Sequence, residues 1–148
     1  MSACVINPGD SFFPNNFTFA EMIATKQELD NTPKTWEEVC NIFKMAEYLQ
    51  VLRNLFQKPI LVTSGFRTKE VNKAVGGSKT SAHLTGLAAD ITAVKKADNK
   101  KLLKLLQKSD LGKLADQIIY YVKDNGSIHW IHIGLRKNPR KQIICKSV

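Results

Sequence analysis

Apolar and polar positions along the chain show no period over residues 1–16, which Pro8-Gly9 and Pro14-Asn15-Asn16 break into irregular backbone. Phe17 to Thr25 reads as a short helix with Phe19, Met22 and Ile23 turned inward, followed by a loop at Asn31-Thr32-Pro33. Thr35-Trp36-Glu37-Glu38 then has the form of a capping box, in which Thr35 and Glu38 satisfy each other's backbone donors. The helix it opens runs to about Lys58. Val39, Ile42, Phe43, Ala46, Leu49, Leu52 and Phe56 recur near 3.6 residues, which makes it the main core helix, and Pro59 ends it.

Beyond Pro59 the period shortens. Ile60-Leu61-Val62-Thr63-Ser64 is a β-branched apolar run, predicted to be a buried strand that delivers Arg67 at its exit. Thr68 to Val75 predicts a short helix broken by Gly76-Gly77-Ser78; His83 follows in a loop, and Leu87 to Thr92 returns as a strand carrying Asp90. Ala97 to Ser109 is amphipathic, its leucines opposed by lysines. Gln117 to Val122 and Ile128 to Leu135 predict strands joined by the turn Lys123-Asp124-Asn125-Gly126. Gln142 to Cys145 adds a last strand. Helices come first and consecutive strands later, so the expected class is α+β with a mainly antiparallel sheet and helices packed on it.

Composition narrows the picture. The 148 residues predict one domain, 1–148, with an irregular segment at 1–16 and a basic C-terminal segment at 136–148. No run of about 18 apolar residues exists to span a membrane. The N-terminus has no basic region leading into an apolar stretch, so the expectation is a chain without a secretory signal, cytoplasmic as synthesised. A monomer is expected. Cys4, Cys40 and Cys145 lack the close pairing of a metal or redox motif and read as idle thiols; a Cys4–Cys145 bridge is the alternative. The formal charge of +9 favours a polyanionic partner, nucleic acid or an anionic bacterial envelope. The lysines lack the interleaved aromatics of a stacking platform, which leaves nucleic-acid binding a remote alternative that rests on charge alone.

All three histidines fall in two clusters, His83 before Asp90 and His129 with His132. Imidazole and carboxylate are the ligands of a catalytic zinc, which takes three protein ligands and leaves a fourth position to water. His83, Asp90 and His132 are therefore the candidate metal set. Alternation places Trp130, His132 and Gly134 on one face of their strand and Ile131, Ile133 and Leu135 on the other. The plainer reading of His132 is a surface histidine. His129, three residues earlier, belongs on the opposite face from His132 unless the strand begins or bulges there. The small residues Gly86, Ala88 and Ala89 fit close backbone approach around a ligand. Arg67 is either an ordinary surface arginine or a two-donor fork for a carboxylate.

Ser64-Gly65-Phe66-Arg67, Val71 to Ser78, Ser81-Ala82-His83 through Asp90, Asp116-Gln117-Ile118-Ile119 and Trp130-Ile131-His132 together resemble the zinc D-Ala-D-Ala carboxypeptidase family. These peptidoglycan peptidases share a fold with the hedgehog signalling domain, and the likeness, over roughly residues 17–135, is greatest to small single-domain members from phages and bacteria. The resemblance implies one Zn2+ held by His83, Asp90 and His132. It implies that Arg67 binds substrate carboxylate or the developing oxyanion, with Ser81 beside it in the substrate site. His129 falls where the family places its general base, and Asp116 matches an acidic position that orients a ligand or shares the acid/base role. The expected function is thus a zinc-dependent cell-wall peptidase, carboxypeptidase or endopeptidase, of the endolysin kind. The alternative is a degenerate zinc-bearing module that binds cell wall without cutting it.

Overall fold

The capping box forms as the sequence predicts. Thr35 Oγ1 accepts from Glu38 N at 3.1 Å, Glu38 Oε1 accepts from Thr35 N at 2.9 Å, and the helix they open runs Trp36–Phe56. The structure is a computed structural model and describes residues 15–148. The helix stops short of Lys58 because Gln57 turns left-handed at φ 60, its N–H closing on Arg53 O. Ile42, Met45, Ala46, Leu49, Leu52 and Phe56 form its buried stripe.

In chain order the elements are α1 (Phe19–Met22), α2 (Trp36–Phe56), β1 (Ile60–Ser64), α3 (Lys69–Ala74), β2 (Ala88–Ala93), α4 (Asn99–Lys108), α5 (Asp110–Leu114), β3 (Gln117–Val122), β4 (Ile128–Gly134) and β5 (Gln142–Ser147). Short 3-10 turns at Ala82–Thr85 and Lys96–Asp98 precede β2 and α4. The expected α+β class is the one observed. The strands form a single sheet in the order β1-β2-β4-β3-β5, antiparallel except where β5 runs parallel to β3. That exception has a simple cause. β4 ends where β3 begins, with Gly134 opposite Gln117, so the link 135–141 lands beside the start of β3 and β5 must follow its direction.

One sheet face packs on α2 and α4 through Ala89, Ile91, Ile118, Ile131 and Ile133, all buried in one apolar cluster with Leu49, Leu52, Leu102 and Leu106. At roughly 25 cal/mol per Å2 of apolar surface removed from water, this layer is the main source of stability. The other face is left free for chemistry.

Three expectations are corrected. β1 is not buried on both sides: it is the sheet edge, and Leu61 is exposed. α5, which the hydrophobic period does not reveal, is held by Tyr48 Oη donating to Leu111 O at 2.7 Å. Of the cysteines, Cys145 is free and exposed, which excludes a Cys4–Cys145 bridge, whereas Cys40 is buried and disulfide-bonded. Cys4 and the rest of the N-terminal stretch through Pro14 lie outside the described residues. No helix among the described residues is long and apolar enough to cross a membrane.

Candidate metal centre and its cleft

Asp90 sits on β2 directly opposite His132 on β4, on the sheet face away from the helices. His83 comes from the turn Ala82–Thr85 just before β2. Ser81 Oγ starts that turn by accepting from His83 N at 3.2 Å. Asn41 of α2 anchors it, donating from Nδ2 to Thr85 O at 2.9 Å. Gly86 closes it with φ +86, and a Cβ there would stand 3.0 Å from Ile42 Cγ1 and 3.1 Å from Glu38 O. The glycine thus seats the turn on α2 rather than admitting a ligand, which corrects the expectation drawn from the small residues.

His83 is 3% exposed. Its Nδ1 lies 2.6 Å from Gly65 O, and since a carbonyl only accepts, Nδ1 carries the proton. Gly65 is required at this point because a Cβ would fall 2.2 Å from Met22 O, where the segment lies against α1. His83 Nε2 then faces Asp90 Oδ1 at 3.3 Å, and His132 Nδ1 lies 2.9 Å from the same oxygen. Electron-pair donors converging this closely require a positive charge between them, a proton or a metal ion. One ligand atom from each of the three residues can be chosen with all within 4.8 Å of one another. Two imidazoles and one carboxylate, with the buried imidazole oriented by a backbone carbonyl, is a donor set that fits zinc. Burial pushes the Asp90 carboxyl up, but the neighbouring imidazoles of His132 and His83 outweigh it and hold the group well below the usual range. The group is a carboxylate, ready to ligate.

Arg67 is drawn into this cluster. Its Nε donates to Ser64 Oγ at 3.0 Å, Nη1 to Asn72 Oδ1 at 3.2 Å and Nη2 to Asp90 Oδ2 at 3.4 Å. Burial lowers its pKa and Asp90 raises it, and a guanidinium stays charged under both influences. It is not the ordinary surface arginine of the plainer reading. Asn72 is itself buried and donates from Nδ2 to Ser78 O at 2.9 Å, tying the loop after α3 to the arginine.

Asp116 lies at the junction of three strands. Its N–H donates to Gly134 O, its carbonyl accepts from Gln142 N, and its carboxylate is gripped by Arg140. Arg140 donates from its backbone N at 2.8 Å and Nε at 3.0 Å to Oδ1, and from Nη2 at 2.7 Å to Oδ2. These Arg140 hydrogen bonds hold the carboxyl below its ordinary value although burial opposes them.

His129 owes its position to a bulge. Tyr121 pairs with Trp130 and Val122 with Ile128, so His129 is an extra residue without a partner on β3. Ile128 and Ile131, three apart, are both buried in the core, which requires one residue out of phase between them. His129 and Trp130 therefore share the face of His132, and their rings meet edge to face at 5.2 Å. Burial, with Lys123 and Lys96 adding to it, holds the His129 imidazole below its ordinary value. His129 is not among the residues that line the cleft.

The cleft over the three candidate ligands measures about 660 Å3, within the usual range for ligand sites. Arg67, the loop from Gly76 to Ala82 and the metal set form one side; Asp116, Ile119, Tyr121, Trp130, Arg140 and Lys146 form the other. Tyr121 stacks on Trp130 with centroids 4.1 Å apart and planes 16° from parallel. Sequence reasoning missed Tyr121, Asn72 and Arg140. Strand alternation could have found Tyr121, which lies two residues beyond Ile119, the partner of His132. Nothing in the pattern distinguishes Asn72 or Arg140.

A family model described as Peptidase M15 matches residues 15–133. The zinc D-Ala-D-Ala carboxypeptidase of Streptomyces albus G is 34% identical to the chain over 86 residues, which is 57% of this chain and 34% of that protein. The chain thus spans about a third of that relative's length at the match.

Proposed function

The chain belongs to the peptidase M15 family, and from that premise we propose that it is a zinc-dependent peptidase cleaving peptidoglycan stem peptides, as a D-Ala-D-Ala carboxypeptidase or an endopeptidase of the endolysin kind. The observation that carries the reading is the convergence of His83 Nε2 and His132 Nδ1 on Asp90 Oδ1 in a cleft beside a partly buried arginine. In this reading His83, Asp90 and His132 hold one Zn2+. Bound there, zinc supplies Lewis acidity toward the scissile carbonyl and brings the pKa of water to about 7.

The remaining work falls to the chain's own groups. Arg67 offers its outer guanidinium edge to the carbonyl oxygen as charge develops, or to a terminal carboxylate. Ser81, already holding the His83 turn, borders the substrate. His129 takes the proton of the attacking water and returns it to the leaving amine. Two observations support this choice of base: the bulge brings His129 to the face of His132, and burial with the nearby Lys123 and Lys96 disfavours the charged imidazolium. Asp116 reads as a structural carboxylate, because both of its oxygens are engaged by Arg140.

The test uses purified peptidoglycan and defined stem peptides, with and without a chelator. Release of D-Ala or of a new amino group, abolished by the chelator and restored by zinc, is the expected result. A zinc-loaded protein that releases neither would overturn the reading and leave a cell-wall-binding module.

A further inference from the structure

The two flanks of the metal set differ in what they offer a substrate. Across the sheet face the order is Arg67 beside β1 and β2, Asp90 on β2, His132 on β4 and Tyr121 on β3. Arg67 supplies hydrogen-bond donors on the β1 side. On the β3 side, Ile119 directly opposite His132 has no donor to give, and Tyr121 is the next residue on that face. Its ring is fixed by the stack on Trp130, a side chain likewise turned into the cleft. Its phenol has no hydrogen-bond partner among the described residues, unlike the buried phenol of Tyr48, which donates to Leu111 O. A half-buried hydroxyl with no partner of its own, held rigidly in a cleft, is placed for a partner that arrives with the substrate.

We propose that Tyr121 is a second hydrogen-bond donor to the carbonyl oxygen of the scissile peptide, acting from the flank opposite Arg67, and that Trp130 is the residue that positions it. The proposal rests on the peptidase reading above and extends it to residues that the metal chemistry does not require. During hydrolysis the water oxygen forms a bond to the carbonyl carbon and negative charge grows on the carbonyl oxygen. The C–N bond then breaks and the water's proton leaves on the amine. The phenol keeps its own proton throughout and only donates. Burial and the Asp90 carboxylate raise the Tyr121 pKa against the opposing pull of Arg67, which is consistent with a group that stays protonated.

A donor that acts as charge develops lowers kcat without weakening substrate binding when removed, and loss of one such donor costs on the order of 10²–10³ in rate. The experiment compares zinc-loaded wild type, Tyr121→Phe, Trp130→Leu and the double variant on one stem peptide, with zinc content and Tm measured on each. Phenylalanine keeps the ring and the stack, so the expected result is full zinc, an unchanged Tm, an unchanged KM and a kcat reduced by about 10²-fold. Trp130→Leu should lower kcat less, and should add little on top of Tyr121→Phe if it acts by aiming the phenol. Wild-type kcat in Tyr121→Phe, a change confined to KM, or loss of zinc would each overturn the inference while leaving the peptidase reading intact. An inactive wild type would instead defeat both.

Discussion

Gly77→Ala tests how Arg67 is held. Gly77 is not one of the glycines with positive φ, so alanine fits its backbone and the cost is one of contact alone. A Cβ at Gly77 would lie 2.1 Å from Asn72 Oδ1, 2.8 Å from Asn72 Cγ and 3.0 Å from Arg67 Nη1. The gap to Oδ1 must open by more than about 1 Å before it resembles an ordinary contact. Asn72 cannot swing away freely, because it is 4% exposed and its Nδ2 is bound to Ser78 O at 2.9 Å. Moving the amide breaks that bond, worth about 0.5–1.5 kcal/mol, and the one from Arg67 Nη1, worth about 1.5–3 kcal/mol because the donor is charged. The Arg67 bond is long at 3.2 Å, so the lower end applies and the expected loss is about 2 kcal/mol of stability, a Tm lower by roughly 5–8 °C. A guanidinium displaced by about 1 Å should lower kcat/KM by about 10–100-fold. The assay is kcat/KM on a stem peptide, with zinc content measured in parallel, in the wild-type and Arg67→Ala backgrounds. If the effect passes through Arg67, alanine at 77 should cost less than about 3-fold in the second background. Equal losses in both backgrounds, or no loss in the first, would refute this account of how Arg67 is held.

Other outcomes follow from the same geometry. His83→Ala and His132→Ala should each lose zinc on elemental analysis, and unchanged zinc in either would remove that residue from the ligand set. His129→Ala should keep zinc and fold yet lose on the order of 10²–10⁴ in rate; the reverse ordering, with Asp116→Asn inactive and His129→Ala active, would move the base to Asp116. Asp116→Asn should instead lower Tm. Because Arg140 depresses the carboxyl's pKa in the folded state, that stabilisation is complete above the ordinary carboxylate pKa and fades as pH falls through the lower folded value, so the Tm gap to wild type should close on acidification. Lys123→Gln removes a cation that helps to depress the His129 pKa, and should move the acid limb of the kcat/KM profile to higher pH; an unmoved limb would argue against His129 as the titrating base.

The parts of the fold that were legible in the sequence are those fixed by local chemistry. The capping box set the start of α2, and the β-branched runs gave β1 and β3 with both ends correct. The candidate ligands were legible because imidazole, present three times in the whole chain, is rare enough for its clustering around a carboxylate to carry information. What could not be read depends on contacts between distant segments. Leu61 has the composition of a buried strand residue, and only the sheet order makes it exposed. The anchoring of the His83 turn on α2, and the grip of Arg140 on Asp116, join residues 44 and 24 positions apart whose pairing has no periodic trace. Alternation alone set His129 against His132, because a bulge is a departure from the pattern that sequence reasoning extrapolates.

That bulge gives β4 a tolerance profile of its own. Substitution along the strand alters one side chain at a time, but a change of length between Ile128 and Ile131 changes how many side chains the face opposite the core receives. Deleting one residue there would restore a regular strand in which Ile128, then two before Ile131, stays on the core face. The hydrophobic layer on the far side of the sheet is therefore satisfied with or without the extra residue, and a library built on this chain can vary the number as well as the identities of residues 129 and 130 without moving Ile128 from the core. In this strand the core does not call for the bulge; the extra residue adds a side chain to the opposite face that a regular strand would not carry.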